Sequence, residues 1–343
     1  MENYIEFPGL GLRFPFSPDI FTIPIGGGIT IKWYGVLIAL GFLLAMIYGL
    51  RRSKSFGIDP DRMIDVVLVS AIFAFIGARL YYVLFSEDRA AYFADPLSIL
   101  QVWKGGLGIY GGVIFAFLTA LWMCKVRKVD TLRMFDLASI GFLIGQGIGR
   151  WGNFFNQEAF GANTTMPWGM TGNIIQSGMN GSGYTLSQPV HPTFLYESLW
   201  CLAGFILLHI LSKKFYKFRG EIFASYIMWY GLGRAWIEGL RTDSLMLGTM
   251  RVSQLVAILS VIGGAILLFV FRAMEQRSPK DLFVEEPAPT IPLADEETEE
   301  TTESAQEDGQ AEEAPETEET PDEADSLQTE EPAADEEPKD KDE

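Results

Sequence analysis

Trp33-Tyr34-Gly35-Val36-Leu37-Ile38-Ala39-Leu40-Gly41-Phe42-Leu43-Leu44-Ala45-Met46-Ile47-Tyr48-Gly49-Leu50 is a run of 18 residues without a charge, closed by Arg51 and Arg52. A helix of that length crosses most of a hydrocarbon core. Two further uncharged runs, Gly105–Cys124 and Val252–Phe271, are at least as long. Four more, near 64–85, 134–153, 192–212 and 222–240, are apolar but interrupted: by Arg79, by Asp136 and Arg150, by Glu197 and His209, and by Arg234 and Glu238. All seven follow one another with short connections and no polar face. The pattern predicts an all-α polytopic membrane protein of about seven transmembrane helices.

The net charge of −18 averages two different polymers. Residues 281–343 hold 27 of the 44 acidic residues and two of the 26 basic ones, Lys339 and Lys341. That segment has too little apolar surface to offset the entropy of ordering it, so it is expected to be a disordered acidic tail, either solubilising or an arm for a basic partner. Residues 1–280 carry 24 basic against 17 acidic residues, net +7, and form the expected membrane-embedded domain. Basic residues collect on alternate connections: Arg51, Arg52, Lys54 and Arg62; Lys125, Arg127, Lys128 and Arg133; Lys213, Lys214, Lys217 and Arg219; Arg272, Arg277 and Lys280. These fifteen face six on the other side: Arg13, Lys32, Arg89, Lys104, Arg241 and Arg251. The bias predicts the N-terminus outside and the tail cytoplasmic. The connection of about 151–191, rich in Gly, Asn, Ser and Thr, then becomes a small external cap between spans four and five.

The N-terminus lacks a basic region running into an apolar core, and no cleaved signal peptide is expected. Cys124 and Cys201 lie in apolar stretches as buried thiols, and with only His191 and His209 besides them no metal site is expected. No cofactor and no nucleic-acid partner is implied.

With direction assigned, the unusual residues share a depth. Tyr34 opens span one, Arg79 lies in the outer third of span two, and Tyr110 begins span three. Arg150 ends span four, His191 and Glu197 begin span five, and Tyr230, Arg234 and Glu238 share one face at the end of span six. Asp136 and His209 lie nearer the cytoplasm. A charge in hydrocarbon costs several kcal/mol, on the order of ~3, unless paired or wetted, so such residues mark a site, although Arg79 is as readily structural. Arginines beside Gly-rich turns suit a phosphate, and the hydrocarbon surroundings suggest that of a lipid. Asn153, Asn156, Tyr34 and Tyr230 offer neutral hydrogen bonds for its head group. The glycines at 105, 106, 108, 111 and 112 near Tyr110 read first as helix packing.

Four motifs then resemble, in order, those of the prolipoprotein diacylglyceryl transferases. They are Ile31-Lys32-Trp33-Tyr34-Gly35, Gly149-Arg150-Trp151-Gly152-Asn153-Phe154-Phe155-Asn156-Gln157-Glu158 with Gly161, Val190-His191-Pro192-Thr193-Phe194-Leu195-Tyr196-Glu197, and Tyr230-Gly231-Leu232-Gly233-Arg234-Ala235-Trp236-Ile237-Glu238. The similarity spans about 22–275. It implies transfer of the diacylglyceryl group of phosphatidylglycerol to the lipobox cysteine of a prolipoprotein signal peptide. A thioether forms and glycerol 1-phosphate leaves, at the outer leaflet of a bacterial cytoplasmic membrane. It implies catalytic roles for Arg234, Tyr110, Tyr230, Glu238 and Glu158, and lipid binding by Arg150, Tyr34, Asn153, Gly161 and His191. Tyr110 stands where several members have a histidine proposed as the thiol's base. A phenol of pKa ~10 is a poor base, so either arginines depress it or that histidine is not obligatory; the second is favoured. Either Glu158 or Glu238 can take the thiol proton on this reading. Topology alone also fits an anionic-lipid transporter, which would more commonly show internal repeats, or a membrane scaffold, which would not explain the polar cluster.

Overall fold

A computed structural model of the chain describes residues 3–277 apart from 25–28, 88, 103–104, 179–184, 186–187, 242–245 and 248–249. The acidic tail, Lys104, Lys280 and part of the expected cap lie outside the described residues. The helices are α1 (Trp33–Ser53), α2 (Pro60–Phe85), a short α3 (Arg89–Ala94), α4 (Ile109–Val126), α5 (Thr131–Asn156), a short α6 (Asn173–Gly178), α7 (Thr193–Ile210), α8 (Glu221–Leu240) and α9 (Val252–Arg277).

Five of them, α1, α2, α4, α7 and α9, are long and apolar enough to cross a bilayer. Their mean hydropathy is 1.7–2.5, yet only 11–28 % of their residues are buried inside the protein. Ile109 and Phe269 are each more than 70 % exposed. Water is a poor solvent for such faces and hydrocarbon a good one, so the chain is a mostly helical polytopic membrane protein. Helices α5 and α8 are as long but carry Asp136, Arg150, Arg234 and Glu238. They lie against other helices: α5 packs on α1, α7 and α8, and α8 on α7 and α9.

The chain is not purely helical, which corrects the all-α expectation. β1 (Tyr4–Phe7) pairs antiparallel with β2 (Leu12–Pro15), and β3 (Asp19–Ile23) with β4 (Ile29–Lys32), which runs into α1. The Ile-Thr-rich alternation of 19–23 and 29–32 has the period of a strand, not of a helix. β5 (Thr171–Gly172) adds to the free edge of β1, and β6 (Met246–Leu247) pairs with β7 (Met250–Arg251). A second difference concerns α5, which continues to Asn156 and stops only where Gln157 turns left-handed at φ 52°. The segment between spans four and five thus begins at about 157 rather than 151.

Close helix approach is bought by glycine at particular places. A side chain on Gly111 would strike the Gly77 carbonyl, which brings α4 onto α2. Trp200 of α7 and Trp229 of α8 stack with ring centroids 4.3 Å apart. Each indole N–H donates to the other residue's carbonyl at 3.0 Å. Any side chain on Gly204 or Gly233 would run into the opposing indole, so this clasp fixes how α7 meets α8.

Where α5 begins and α8 begins, charge is used structurally. Asp136 is fully buried and accepts from Tyr216 Oη at 2.6 Å, Gly220 N at 2.7 Å and Phe223 N at 2.8 Å. It thereby caps the α8 N-terminus from a neighbouring helix. His209 Nδ1 meets Tyr48 Oη at 2.8 Å. Arg79, 6 % exposed, donates to the carbonyls of Ser98, Ile99, Gly105 and Gly106 at 2.7–2.9 Å. The glycine turn therefore offers carbonyls to an arginine, not N–H groups to an anion.

Asp136→Ala leaves three buried donors without that acceptor and should cost on the order of 3 kcal/mol. A clear fall in the thermal midpoint of the detergent-solubilised protein is expected; an unchanged midpoint would show that the cap contributes nothing.

Candidate active site

The last three turns of α5 carry Gln146, Arg150 and Asn153, the first turns of α7 carry Glu197, and the last turns of α8 carry Tyr230, Arg234 and Glu238. Because the three helices pack together, these residues converge at the end where α5 and α8 finish. Arg150 Nε lies 2.5 Å from Glu197 Oε2, and Arg234 Nη1 lies 3.6 Å from Glu197 Oε1. Arg234 Nη2 is 2.7 Å from Glu238 Oε2, one helical turn along α8. Two guanidinium groups and two carboxylates thus form a neutral chain across three helices. Glu197 is 9 % exposed and Glu238 1 %, so the pairing is what lets these charges lie buried among the helices. Arg251, just before α9, donates to the Glu238 carbonyl and fastens the end of α8.

The chain extends toward the α5 C-terminus. Asn153 Oδ1 accepts from Arg150 Nη1 at 3.4 Å, while its Nδ2 donates to Glu158 Oε1 at 3.0 Å. Asn156 Nδ2 donates to the same oxygen at 3.1 Å. Glu158 is exposed, and through Asn153 it orients the amide that touches Arg150. The ring of Tyr34 lies on Gly152, where any side chain would collide with it. A cavity of about 20 Å³ sits among the charged groups, lined by Gln146, Arg150, Glu197, Tyr230 and Arg234 with Trp200 beneath. That is room for about one water.

Gly161 and His191 take a different place. Gly161 N donates to the His191 carbonyl at 2.9 Å, His191 N to Ala162 at 3.0 Å, and Ala162 N to Leu240 at 2.7 Å. A Cβ on Gly161 would sit 2.8 Å from that of His191 and 3.0 Å from the Leu240 carbonyl. This narrow strand stitches the start of α7 to the end of α8. Trp168 Nε1 donates to Tyr196 Oη at 2.7 Å, and the Tyr196 hydroxyl shares a hydrogen bond with His191 Nδ1 at 3.1 Å. Burial lowers the His191 pKa below its ordinary value. Tyr110 is 59 % exposed, packs near Tyr81 with ring centroids 6.2 Å apart, and does not line the cavity.

The structure therefore gathers Arg150, Arg234, Glu238, Asn153, Tyr230 and, through Asn153, Glu158. It places Gly161 and His191 in the segment above and Tyr110 to the side. The sequence places Glu197 among the charges that mark the site but suggests no binding or catalytic role for it, and it does not single out Gln146. The available signal for Glu197 was a carboxylate in the first turns of a hydrocarbon-length helix, inside a motif already singled out.

The sequence profile of the family described as prolipoprotein diacylglyceryl transferase matches residues 20–270. A phosphatidylglycerol–prolipoprotein diacylglyceryl transferase of Limosilactobacillus reuteri is 43 % identical over 267 residues, 76 % of this chain and 94 % of that protein. Relatives of the same description in Clostridium perfringens (43 % over 272 residues, 78 % and 99 %) and Staphylococcus aureus (40 % over 272 residues, 79 % and 94 %) cover similar shares. With a family profile over residues 20–270 and relatives of this identity and coverage, the chain belongs to the prolipoprotein diacylglyceryl transferase family.

Proposed function

We propose that this chain transfers the diacylglyceryl group of phosphatidylglycerol to the lipobox cysteine of prolipoproteins. The observation that carries the reading is the meeting of Arg150 and Arg234, from two helices, on one carboxylate at membrane depth in a chain of this family. The thiolate attacks the sp³ carbon of the glyceryl group. Its electron pair forms the C–S bond as the C–O bond to phosphate breaks, and glycerol 1-phosphate takes those electrons. No oxyanion forms at carbon; charge grows on the departing phosphate oxygen. Preorganised cations in a dry site stabilise that charge most effectively. Arg150 holds the phosphate, Arg234 meets it as it leaves, and Glu238 steadies Arg234 from the next turn. Asn153, Tyr34 and Tyr230 supply hydrogen bonds to the head group, with Gly161 and His191 closing the segment above them. A thiol of pKa ~8.5 needs little help near neutral pH. Glu158, exposed beside Asn153, is the carboxylate an incoming peptide meets first and receives the proton.

The asymmetry of basic residues supports seven spans, an external N-terminus, an outer-leaflet site in the bacterial membrane and a disordered cytoplasmic tail from 281. The core to 280 is then the transferase and the tail an appendage.

Purified protein mixed with phosphatidylglycerol and a lipobox peptide should yield a thioether adduct by mass spectrometry. Lipid or solute movement without adduct would replace the reading with transport. In the same assay Arg150→Ala should lose at least about 100-fold in turnover, as for loss of a group holding transition-state charge, while remaining in the membrane. Tyr110→Phe should retain most activity, since Tyr110 stands outside the cavity; complete loss would give the phenol a role in the chemistry. A chain ending at 280 should turn over like the full protein, and a large drop would make the tail part of the enzyme.

A further inference from the structure

Glu197 holds the two arginines as a bound anion would. Its two oxygens go to different guanidinium groups on different helices, Oε2 to Arg150 at 2.5 Å and Oε1 to Arg234 at 3.6 Å. A phosphodiester has two non-bridging oxygens to place in the same way. We propose that Glu197 takes the phosphate's place on the two arginines between turnovers, that the lipid phosphate displaces it, and that its return expels glycerol 1-phosphate. This inference rests on the reading of Arg150 and Arg234 as phosphate ligands.

Charge favours the exchange. Arg150, Arg234, Glu197 and Glu238 sum to zero, so a phosphate monoanion brings one negative charge that the intact group does not compensate. With Glu197 turned outward to water, the two arginines, Glu238 and the phosphate sum to zero. Glu197 itself forms part of the wall of the cavity between the two arginines, where the anion enters. Glu238 is poorly suited to leave. It is 1 % exposed, it pairs with Arg234 on its own helix, and Arg251 fastens its backbone. Glu197 stands on a third helix, keeps 9 % exposure, and holds Arg234 by the longer of its two arms. A turn of its side chain frees both guanidinium groups while the Trp200–Trp229 clasp, three residues further along α7, holds the helices in place.

A placeholder and a positioning carboxylate differ in sign on loss of charge. The full-length protein is titrated with glycerol 1-phosphate by calorimetry, and the same compound is used as product inhibitor in the adduct assay. For Glu197→Gln, binding should tighten by at least about tenfold, within the range of removing one charge from a buried group. KM for phosphatidylglycerol should fall and kcat should fall with it as product release slows. Glu197→Leu should show the same tightening, which covers the case of an amide variant that does not fold. Glu197→Asp, which keeps the charge, should stay within about threefold of wild type, as retained charge requires. Unchanged or weaker glycerol 1-phosphate binding in the charge-free variants overturns the proposal. Wild-type protein that makes no adduct sinks the transferase reading while a gain in Glu197→Gln would still support displacement; adduct formation without that gain does the reverse.

Discussion

The contact between Arg150 and Glu197, 2.5 Å apart on neighbouring helices, is the constraint from which much of the rest follows. Each of these part-buried charges is stabilised by its partner, and the partner is supplied by another helix. α5 and α7 can therefore pack in few registers, and α8 must then bring Arg234 to the second oxygen of Glu197. The Trp200–Trp229 clasp makes that register cheap. Two indoles satisfy each other's carbonyls across the interface, and Gly204 and Gly233 remove the side chains that would keep them apart. Gly233 immediately precedes Arg234, and Trp200 lies three residues after Glu197. The apolar lock and the ionic one are thus one turn apart, and each sets the geometry of the other.

Charges elsewhere in the bundle are satisfied differently. Arg79 has its donors on four backbone carbonyls, and Asp136 has its oxygens on two backbone N–H groups and a phenol. Those partners belong to the main chain or to a packed ring and cannot leave without unfolding a turn. Arg150 and Arg234 are held by side-chain carboxylates, which rotate away at the cost of a few torsions. The distinction between a structural and an exchangeable arginine lies in its counter-groups, not in its depth.

That distinction explains which features were legible in the sequence. The apolar runs announced the long helices because a hydrocarbon solvent imposes composition directly on the chain. Arg234 and Glu238 announced their pairing because a spacing of four is a property of one helix. Arg79 and Arg150 looked alike, each a single arginine near the end of a span. What separates them is a turn 19–27 residues away in one case and a glutamate on another helix in the other. Glu197 was visible as a misplaced charge, but its partners depend on the rotation of three helices about their axes, which periodicity within each does not fix. The span read near 134–153 stopped three residues short of Asn156, because the polar Asn153 and Asn156 resemble loop residues, whereas α5 carries them and Gly152 is the surface on which the Tyr34 ring lies. The N-terminal hairpins escaped because attention to a period of 3.6 discards short stretches of period two.

The segment between α5 and α7 completes the same logic at the end of the bundle. Its strand around Gly161 bonds to His191, just before α7, and through Ala162 to Leu240, at the end of α8. Glu197 and Glu238 lie within two turns of those anchor points. The strand therefore ties together the two helix ends whose side chains meet at Arg234. His191 is tied to this segment through Tyr196, which in turn accepts from Trp168. In this arrangement His191 and Gly161 act on the site by holding α7 against α8. The phosphate-sized charge balance is left to the arginines and to Glu197 alone.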